Sequence, residues 1–266
     1  MNVKKEVYRD PKYLDPTYGS GCFRRHIRIS AVVSGEVRGA LEDDCHAFEV
    51  CLRHDGHQVT DVQARWLRYP TTTCPGSLEV VTSMVGCPLS DDLLVIKRYT
   101  SAATQCTHLH DMMCLLVVHA YLSLSGDETV TEYQVAVSDP DPQTQQQRLI
   151  LKVNQDVVFD WLIRDWRLVT PQAFAGLPIM KGFMGWVTKR LPEQLVHAFI
   201  LQMGYFVSTS RRLNFPLMVG MQVQDAGHPI NACYASLPER AVDSFKVDHK
   251  RNFKDCPEQL LRFVDF

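Results

Sequence analysis

Four residues could form a site of thiols and imidazoles, namely Cys74, Cys106, His108 and His46. The pattern predicts that Cys74, Cys106 and His108 each stand at the amino end of a helix, where free backbone N–H groups and the helix dipole favour negative charge. A thiolate is both the nucleophilic and the metal-binding form of cysteine. The same four residues therefore predict either covalent chemistry or a bound zinc or iron ion, and both interpretations stay open.

His46 and one further side chain, Asp111, complete the expected acid and base groups. His46 lies on the otherwise apolar face of a predicted strand and needs a polar partner if it is buried. We expect His46 or His108 to transfer protons, and Asp111, one turn after His108, either to orient that imidazole or to bind the ion. This hypothesis requires Cys74 and Cys106 to lie close together. The other seven cysteines are expected to be packing residues or to lie in the irregular amino-terminal arm.

Several cationic and aromatic residues could bind a substrate. Arg68, at the end of a strand, could anchor a carboxylate or phosphate. Lys181, Trp186 and the pair Arg211 and Arg212 could line a pocket for an anionic, partly apolar ligand. The alternative is that Arg68 is an exposed strand-end residue and that the others are surface charge and core packing.

The apolar periodicity predicts an α+β fold, a curved antiparallel sheet with helices packed mainly on one face. Strands are predicted over residues 25–37, 44–54 and 59–69, and again after residue 126. Amphipathic helices are predicted at 74–86, 107–122 and 192–206. Residues 1–22 are expected to form an irregular arm on the surface or on another subunit of a homo-oligomer. Residues 23–266 are expected to form a single domain, with 123–266 adding a strand hairpin and a helical part to 23–122.

Composition excludes several classes of protein. Among 266 residues, 28 Lys and Arg stand against 30 Asp and Glu, a net charge of −2 that argues against a nucleic-acid-binding protein. The longest apolar run, residues 112–118, is too short to cross a membrane. The odd number of nine cysteines predicts reduced thiols and a cytoplasmic location. The chain also has no phosphate-binding glycine motif, so no nucleotide cofactor is expected.

Three blocks of sequence resemble a known bacterial family. They run from Gly39 to Phe48, from Arg68 to Gly76, and from Gln105 to Asp111, and the Cys-Thr-His-Leu run of residues 106–109 is the most specific of them. Together they are similar to the family known as domain of unknown function 2889. The resemblance covers about residues 23–122 and implies a bacterial cytosolic protein, often in small-molecule catabolism. The order of strands and helix-start cysteines is also loosely similar to iron–sulfur scaffold proteins, at the level of the fold alone.

These observations lead to two main hypotheses about function, beside a third, a structural or interaction module, which would show a large exposed apolar patch and no convergent polar cluster. The first is an enzyme of lyase, hydrolase or isomerase type that acts on a small, partly hydrophobic molecule, aromatic or carboxylated, through the Cys and His site. The second is a metal- or iron–sulfur-binding accessory protein without catalysis. An enzyme should keep an open position beside a pocket, whereas an accessory protein closes the same ligands around its ion.

Overall fold

Eight antiparallel strands form one open, curved sheet. A computed structural model describes residues 7, 10–126 and 129–266, and within them the strands lie in the order β4-β3-β2-β1-β5-β6-β7-β8. The strands are β1 (Cys22–Val33), β2 (Glu36–Asp43), β3 (Ala47–His54), β4 (Val59–Arg68), β5 (Thr129–Ser138), β6 (Gln147–Val153), β7 (Asp156–Arg164) and β8 (Arg167–Thr170). The predicted α+β class with a curved antiparallel sheet is confirmed.

The helical segments of the described residues vary greatly in length. They are α1 (Leu78–Val81), α2 (Thr107–Ser123), α3 (Phe183–Arg190), α4 (Leu195–Ser208) and α5 (Pro238–Ala241). The helices predicted at 107–122 and 192–206 are confirmed as α2 and α4, the latter preceded by a 3₁₀ turn at Pro192–Gln194. The helix predicted at 74–86 is wrong as a continuous element, because 3₁₀ turns at Cys74–Ser77 and Thr82–Met84 flank a single α-helical turn.

Two strand predictions also need correction. The strand predicted over 25–37 is two strands, β1 and β2, which meet at a turn through Gly35, whose φ is +72°. The strand predicted over 44–54 begins only at Ala47, because residues 44–46 form a turn. The pattern missed β2 because every residue from Gly39 to Asp43 is buried, so the polar and apolar alternation of a half-exposed strand is lost there.

Both long helices lie on the same face of the sheet. Ile27 and Leu41, from β1 and β2, share one cavity wall with Met112 of α2 and Phe199 of α4. The carboxy-terminal segment covers part of the opposite face, where the Arg28 guanidinium donates to the carbonyl of Phe266 at 2.6 Å. The prediction that helices pack mainly on one face is therefore confirmed.

The predicted irregular arm packs against the carboxy-terminal half of the chain. A 3₁₀ turn at Pro11–Tyr13 is capped by Asp10, and Leu14 pairs with Leu213 as an isolated bridge. Val7 is buried in a small cluster that also contains Cys45 and Phe215. Residues 1–6, 8 and 9 of the arm lie outside the described residues.

Among the described residues, we find no helix with the length and apolar character needed for a membrane span.

The contact between α4 and β5 predicts an unusual response to substitution. A Cβ on Gly204 would lie 2.7 Å from a methyl group of Val135, whereas a Cβ on Gly185 of α3 would meet nothing within 4 Å. Replacing a helical glycine by alanine normally stabilises by about 1 kcal/mol. We therefore expect Gly185→Ala to raise the free energy of unfolding by about that amount. Gly204→Ala should instead lower it by about 1 kcal/mol or more, because overpacking outweighs helix propensity.

Urea denaturation of both variants measures this difference as opposite shifts of the midpoint at unchanged slope. Equal stabilisation by the two substitutions would contradict the close packing of α4 on β5.

Candidate functional site

A buried carboxylate organises the turn between β2 and β3. Asp43 Oδ1 accepts from the backbone N–H groups of Cys45 and His46, both at 2.8 Å, and lies 3.0 Å from His46 Nδ1. Asp43 Oδ2 accepts from the Nε and Nη2 groups of Arg25 at 3.0 and 2.6 Å. Burial alone would raise the pKa of Asp43, but His46 and Arg25 hold it well below its usual value. The ionised carboxylate cannot donate, so His46 Nδ1 carries the proton of that hydrogen bond.

The imidazole of His108 stacks on that of His46. Their ring centroids are 3.7 Å apart and the planes are inclined by 29°. Burial, followed by the charges of His46 and Arg25, lowers the pKa of His108 well below its usual value, so the ring is neutral near pH 7. The ligand atoms of Asp43, His46 and His108 lie within 4.8 Å of one another. The structure thus brings the two predicted histidines together.

The two predicted cysteines are not activated as expected. Burial raises the pKa of Cys106 well above its usual value, although the N–H groups of Leu109 and His108 at the start of α2 oppose this. Cys74 lies in a 3₁₀ turn, with its Sγ 2.8 Å from the Thr71 hydroxyl oxygen, and burial raises the pKa of Cys74 to about 11. The prediction of lowered thiol pKa values is therefore wrong, because desolvation outweighs the helix dipole.

A third thiol lies beside these two. The backbone N–H of Tyr234 donates to the carbonyl of Gln105 at 2.8 Å, which brings Cys233 close to Cys106, and charge on Cys233 or Cys74 raises the pKa of Cys106. Cys233 Sγ is also 3.4 Å from His228 Nε2. The sequence reasoning assigned Cys233 to packing and passed over His228. Their spacing in an irregular segment carried no recognisable motif, and only the tertiary fold brings them to the site.

Asp111 and His108 line a small cavity between the sheet and the two long helices. The cavity has a volume of about 10 Å³, which leaves room for one water molecule. Arg25 is its third charged or titratable wall residue, and the remainder is apolar: Ile27, Leu41, Met112, Leu115, Phe199, Ile200 and Met203. Burial raises the pKa of Asp111 to about 7, against the opposing charges of Arg25 and Lys97.

Arg68 stabilises the turn at residues 42–46 and does not face an open binding site. Its Nη2 group donates to the carbonyl of Asp43 at 2.5 Å and to Glu42 Oε1 at 3.0 Å, and its Nη1 group donates to the carbonyl of Asp44 at 2.7 Å. The residue is 9% exposed. Because both of its Nη groups are committed inside the protein, we assign Arg68 to positioning residues 42–46 instead of anchoring a substrate.

The other predicted binding residues lie elsewhere. Trp186 packs against Trp161 of β7, and its indole N–H donates to the carbonyl of Pro178 at 2.8 Å. Four strand spacings separate β7 from β2, which places Trp186 roughly 20 Å across the sheet from the turn at Asp43. Lys181 is exposed in the turn before α3. These two residues therefore do not share the pocket of His108.

The predicted arginine pair divides between the interior and the surface. Arg211 is buried, with Nη1 3.1 Å from Asp44 Oδ2 and Nε 2.8 Å from Asp139 Oδ1, whereas Arg212 is exposed. Burial and the neighbouring Asp43 raise the pKa of Asp44 to about 7 despite Arg211. Arg211 thus fastens the turn at residues 43–46 from its other side.

Fold and site together define an α+β protein with a buried centre of carboxylate, imidazole and thiol groups. A family model described as "Protein of unknown function (DUF2889)" matches residues 26–121, which confirms the family resemblance over that segment. The segment carries Asp43, His46, Cys74, Cys106 and His108, but not His228 or Cys233. No curated protein and no solved structure matches the chain.

The buried charge of Asp43 predicts a large effect of removing it. Asp43→Asn leaves Arg25 buried without its counter-ion, which should lower the free energy of unfolding by about 3 kcal/mol or more. Asp160→Asn is the matched control, because Asp160 also pairs with an arginine, Arg148, but is exposed. It should cost no more than about 1 kcal/mol. Urea denaturation measures both, and similar losses would contradict the central role of Asp43.

The raised pKa of Asp111 predicts a pH-dependent stability. Between the unfolded pKa near 4 and the folded value of about 7, the folded chain holds more protons at this group. Its contribution to stability therefore falls as the pH rises through that window. Asp111→Asn lacks the ionised form, so the stability of the variant relative to the parent should increase from pH 4 to pH 8.

The free energies of unfolding of the parent and Asp111→Asn, measured from pH 4 to pH 8, test whether their difference changes in this direction. Asp44 titrates in both the parent and Asp111→Asn, so its contribution cancels in the difference between their unfolding free energies. The pKa of Asp160 is lowered by Arg148, so Asp160→Asn should show a small trend of opposite sign. A stability difference for Asp111→Asn that does not vary with pH would contradict the assignment.

Proposed function

We propose that the chain is an enzyme that activates water, a hydrolase or a hydrating lyase, acting on a small, partly hydrophobic molecule. The observation that carries this proposal is the cavity in which Arg25, His108 and Asp111 meet. Its volume of about 10 Å³ suits one water molecule, and a water held there can use these three polar side chains as partners. A cavity that fits one water molecule favours a hydrolase or a lyase over an isomerase, because an isomerase does not use water as a reactant.

In this proposal, Asp111 is the general base. Its pKa of about 7 lies where proton transfer at neutral pH is most effective. The carboxylate takes a proton from water, the resulting hydroxide forms a bond to an electrophilic carbon, and Arg25 stabilises the negative charge that develops on the substrate. Asp111 then returns that proton, either to the leaving group as its bond to the attacked carbon breaks or to the second carbon of a hydrated double bond. The neutral ring of His108, held by its stack on His46, donates a hydrogen bond to the developing negative charge. His46 positions this imidazole by stacking on it, and Asp43 orients the His46 ring.

The apolar lining points to the character of the substrate. Met112 and Met203 reach the cavity from α2 and α4, and methionine side chains move readily to admit a larger group. An aromatic or aliphatic molecule with a carboxylate would combine this surface with the charge of Arg25. We also propose a cytoplasmic location, which suits the nine free thiols.

A metal-binding accessory protein is the second candidate. It is favoured by the ligand atoms of Asp43, His46 and His108, which lie within 4.8 Å of one another. Two imidazoles bound to one zinc ion have ring centroids about 5 Å apart, from the usual Zn–N distances. The stacked rings of His46 and His108 are closer, at 3.7 Å, and both oxygens of Asp43 are already bonded. This centre would therefore have to rearrange before it bound an ion.

A panel of three substrate classes tests the enzyme proposal: aryl esters, aryl thioesters and aryl-conjugated unsaturated carboxylates. We expect turnover of at least one class, with kcat/KM about 100-fold lower or more in Asp111→Asn. His46→Asn should lower kcat more than it changes KM, because His46 acts through His108. Asp160→Asn serves as the control that keeps full activity. Failure to turn over any class, or equal rates in all the variants, would overturn the proposal.

A further inference from the structure

A thiol and an imidazole meet in the segment 222–246, outside the part of the chain that the family model matches. Cys233 Sγ lies 3.4 Å from His228 Nε2, which is a hydrogen-bond distance for sulfur. The next residue, Tyr234, donates its backbone N–H to the carbonyl of Gln105 at 2.8 Å, two residues before α2 begins. Neither Cys233 nor His228 takes part in the proposed reaction.

Three thiols among the described residues make a hydrogen-bonding contact with an imidazole. The distances between sulfur and nitrogen are 3.9 Å for Cys106 and His108, 3.9 Å for Cys114 and His110, and 3.4 Å for Cys233 and His228. Cys106 is 8% exposed and Cys114 is 1% exposed, whereas Cys233 is half-buried. Of these three pairs, the one at Cys233 therefore combines the shortest contact with access from solvent.

Burial makes most of the other thiols poor nucleophiles near pH 7. It raises their pKa, which keeps the sulfur protonated, and the thiolate is the reactive form. This holds for seven thiols: Cys22, Cys45, Cys51, Cys74, Cys87, Cys106 and Cys114. Cys256 is half-buried, but its Sγ donates to the carbonyl of Asn252 at 3.5 Å, and no imidazole of the described residues bonds to it.

The surroundings of Cys233 favour loss of its proton during a reaction. The backbone N–H of Ser236 donates to the Cys233 side chain, and the Ser236 hydroxyl oxygen lies 3.8 Å from Sγ. Burial, followed by the charge of Lys246, lowers the pKa of His228 to about 4, so the ring is neutral near pH 7 and has a nitrogen free to accept a proton. A donor and an adjacent base are the two features that activate a nucleophilic thiol.

We propose that Cys233 is the thiol of this protein that hydroperoxides oxidise first, with His228 as the base that accepts its proton. Sγ attacks the oxygen of the hydroperoxide that carries hydrogen, the O–O bond breaks, and a sulfenic acid forms. The thiol proton passes to His228 Nε2 and then to the departing oxygen, which leaves as water or an alcohol. The sulfur loses two electrons and the hydroperoxide gains them.

The half-buried position of Cys233 favours such a small reagent. A hydroperoxide has to bring only one oxygen atom to the sulfur, whereas a bulky substrate would need an open cavity. The modification uses none of the residues that act in the proposed reaction, so it goes beyond that reaction and does not require it.

Treatment of the full chain with less than one equivalent of hydrogen peroxide tests the proposal, with a chemical trap for sulfenic acid and mass spectrometry of the peptides. We expect the trap on Cys233 before any other cysteine. His228→Gln should slow this labelling by about 100-fold, the lower end of what a positioned base contributes. His57→Gln is the matched control, because His57 is exposed in the turn between β3 and β4. Cys256→Ser should leave the labelling of Cys233 unchanged.

The order of labelling in the unchanged protein decides the question even if His228→Gln fails to fold. Labelling of Cys256 at the same rate as Cys233, or an unchanged rate at Cys233 in a folded His228→Gln variant, would overturn the inference. Turnover of a substrate class without preferred labelling of Cys233 would contradict this inference alone. Preferred labelling of Cys233 without turnover of any class would contradict only the proposed reaction.

Discussion

The carboxylate of Asp43 is fully buried and accepts hydrogen bonds from five N–H groups of Arg25, Cys45 and His46. A buried charge is tolerated only where partners replace its hydration, so the end of β2, the turn that follows and the guanidinium on β1 must adopt one arrangement together. That arrangement determines the tautomer of His46 and presents its ring to His108. The geometry of the site therefore depends on the need to compensate the buried charge of Asp43 at the end of β2. His108 lies between this turn and the start of α2.

Other buried charges surround the same turn. Glu42 pairs with Arg68, and Asp44 pairs with Arg211. Such pairs add little net stability compared with apolar packing, but removing one partner is costly. They give residues 42–46 a single conformation, which is what a positioned acid or base requires. The helices contribute in a different way, because α2 and α4 place apolar side chains over the sheet and enclose a small cavity beside Asp111.

Local patterns in the sequence were sufficient to predict α2, α4 and most strands. The stripe of apolar residues on a helix, or the two-residue alternation of a strand, is what drives those elements to form against the core. They also led to His46, His108 and Asp111. They failed for β2, where both faces are covered and the alternation disappears. The pairing of Asp43 with His46, and the arrival of Cys233 beside Cys106, depend on contacts between distant segments. The raised thiol pKa values could not be predicted either, since desolvation is a property of the finished core.

The protonation of the His46 ring tests the central claim most directly. Long-range ¹⁵N–¹H correlation spectra distinguish the two nitrogens of a neutral imidazole and show which one carries the proton. An ionised Asp43 hydrogen-bonded to Nδ1 predicts a proton on Nδ1 and a bare Nε2, with this preference lost in Asp43→Asn. A ring protonated at Nε2 in the unchanged protein would contradict the account, because Asp43 would then neither accept from His46 nor orient the stack on which the site depends.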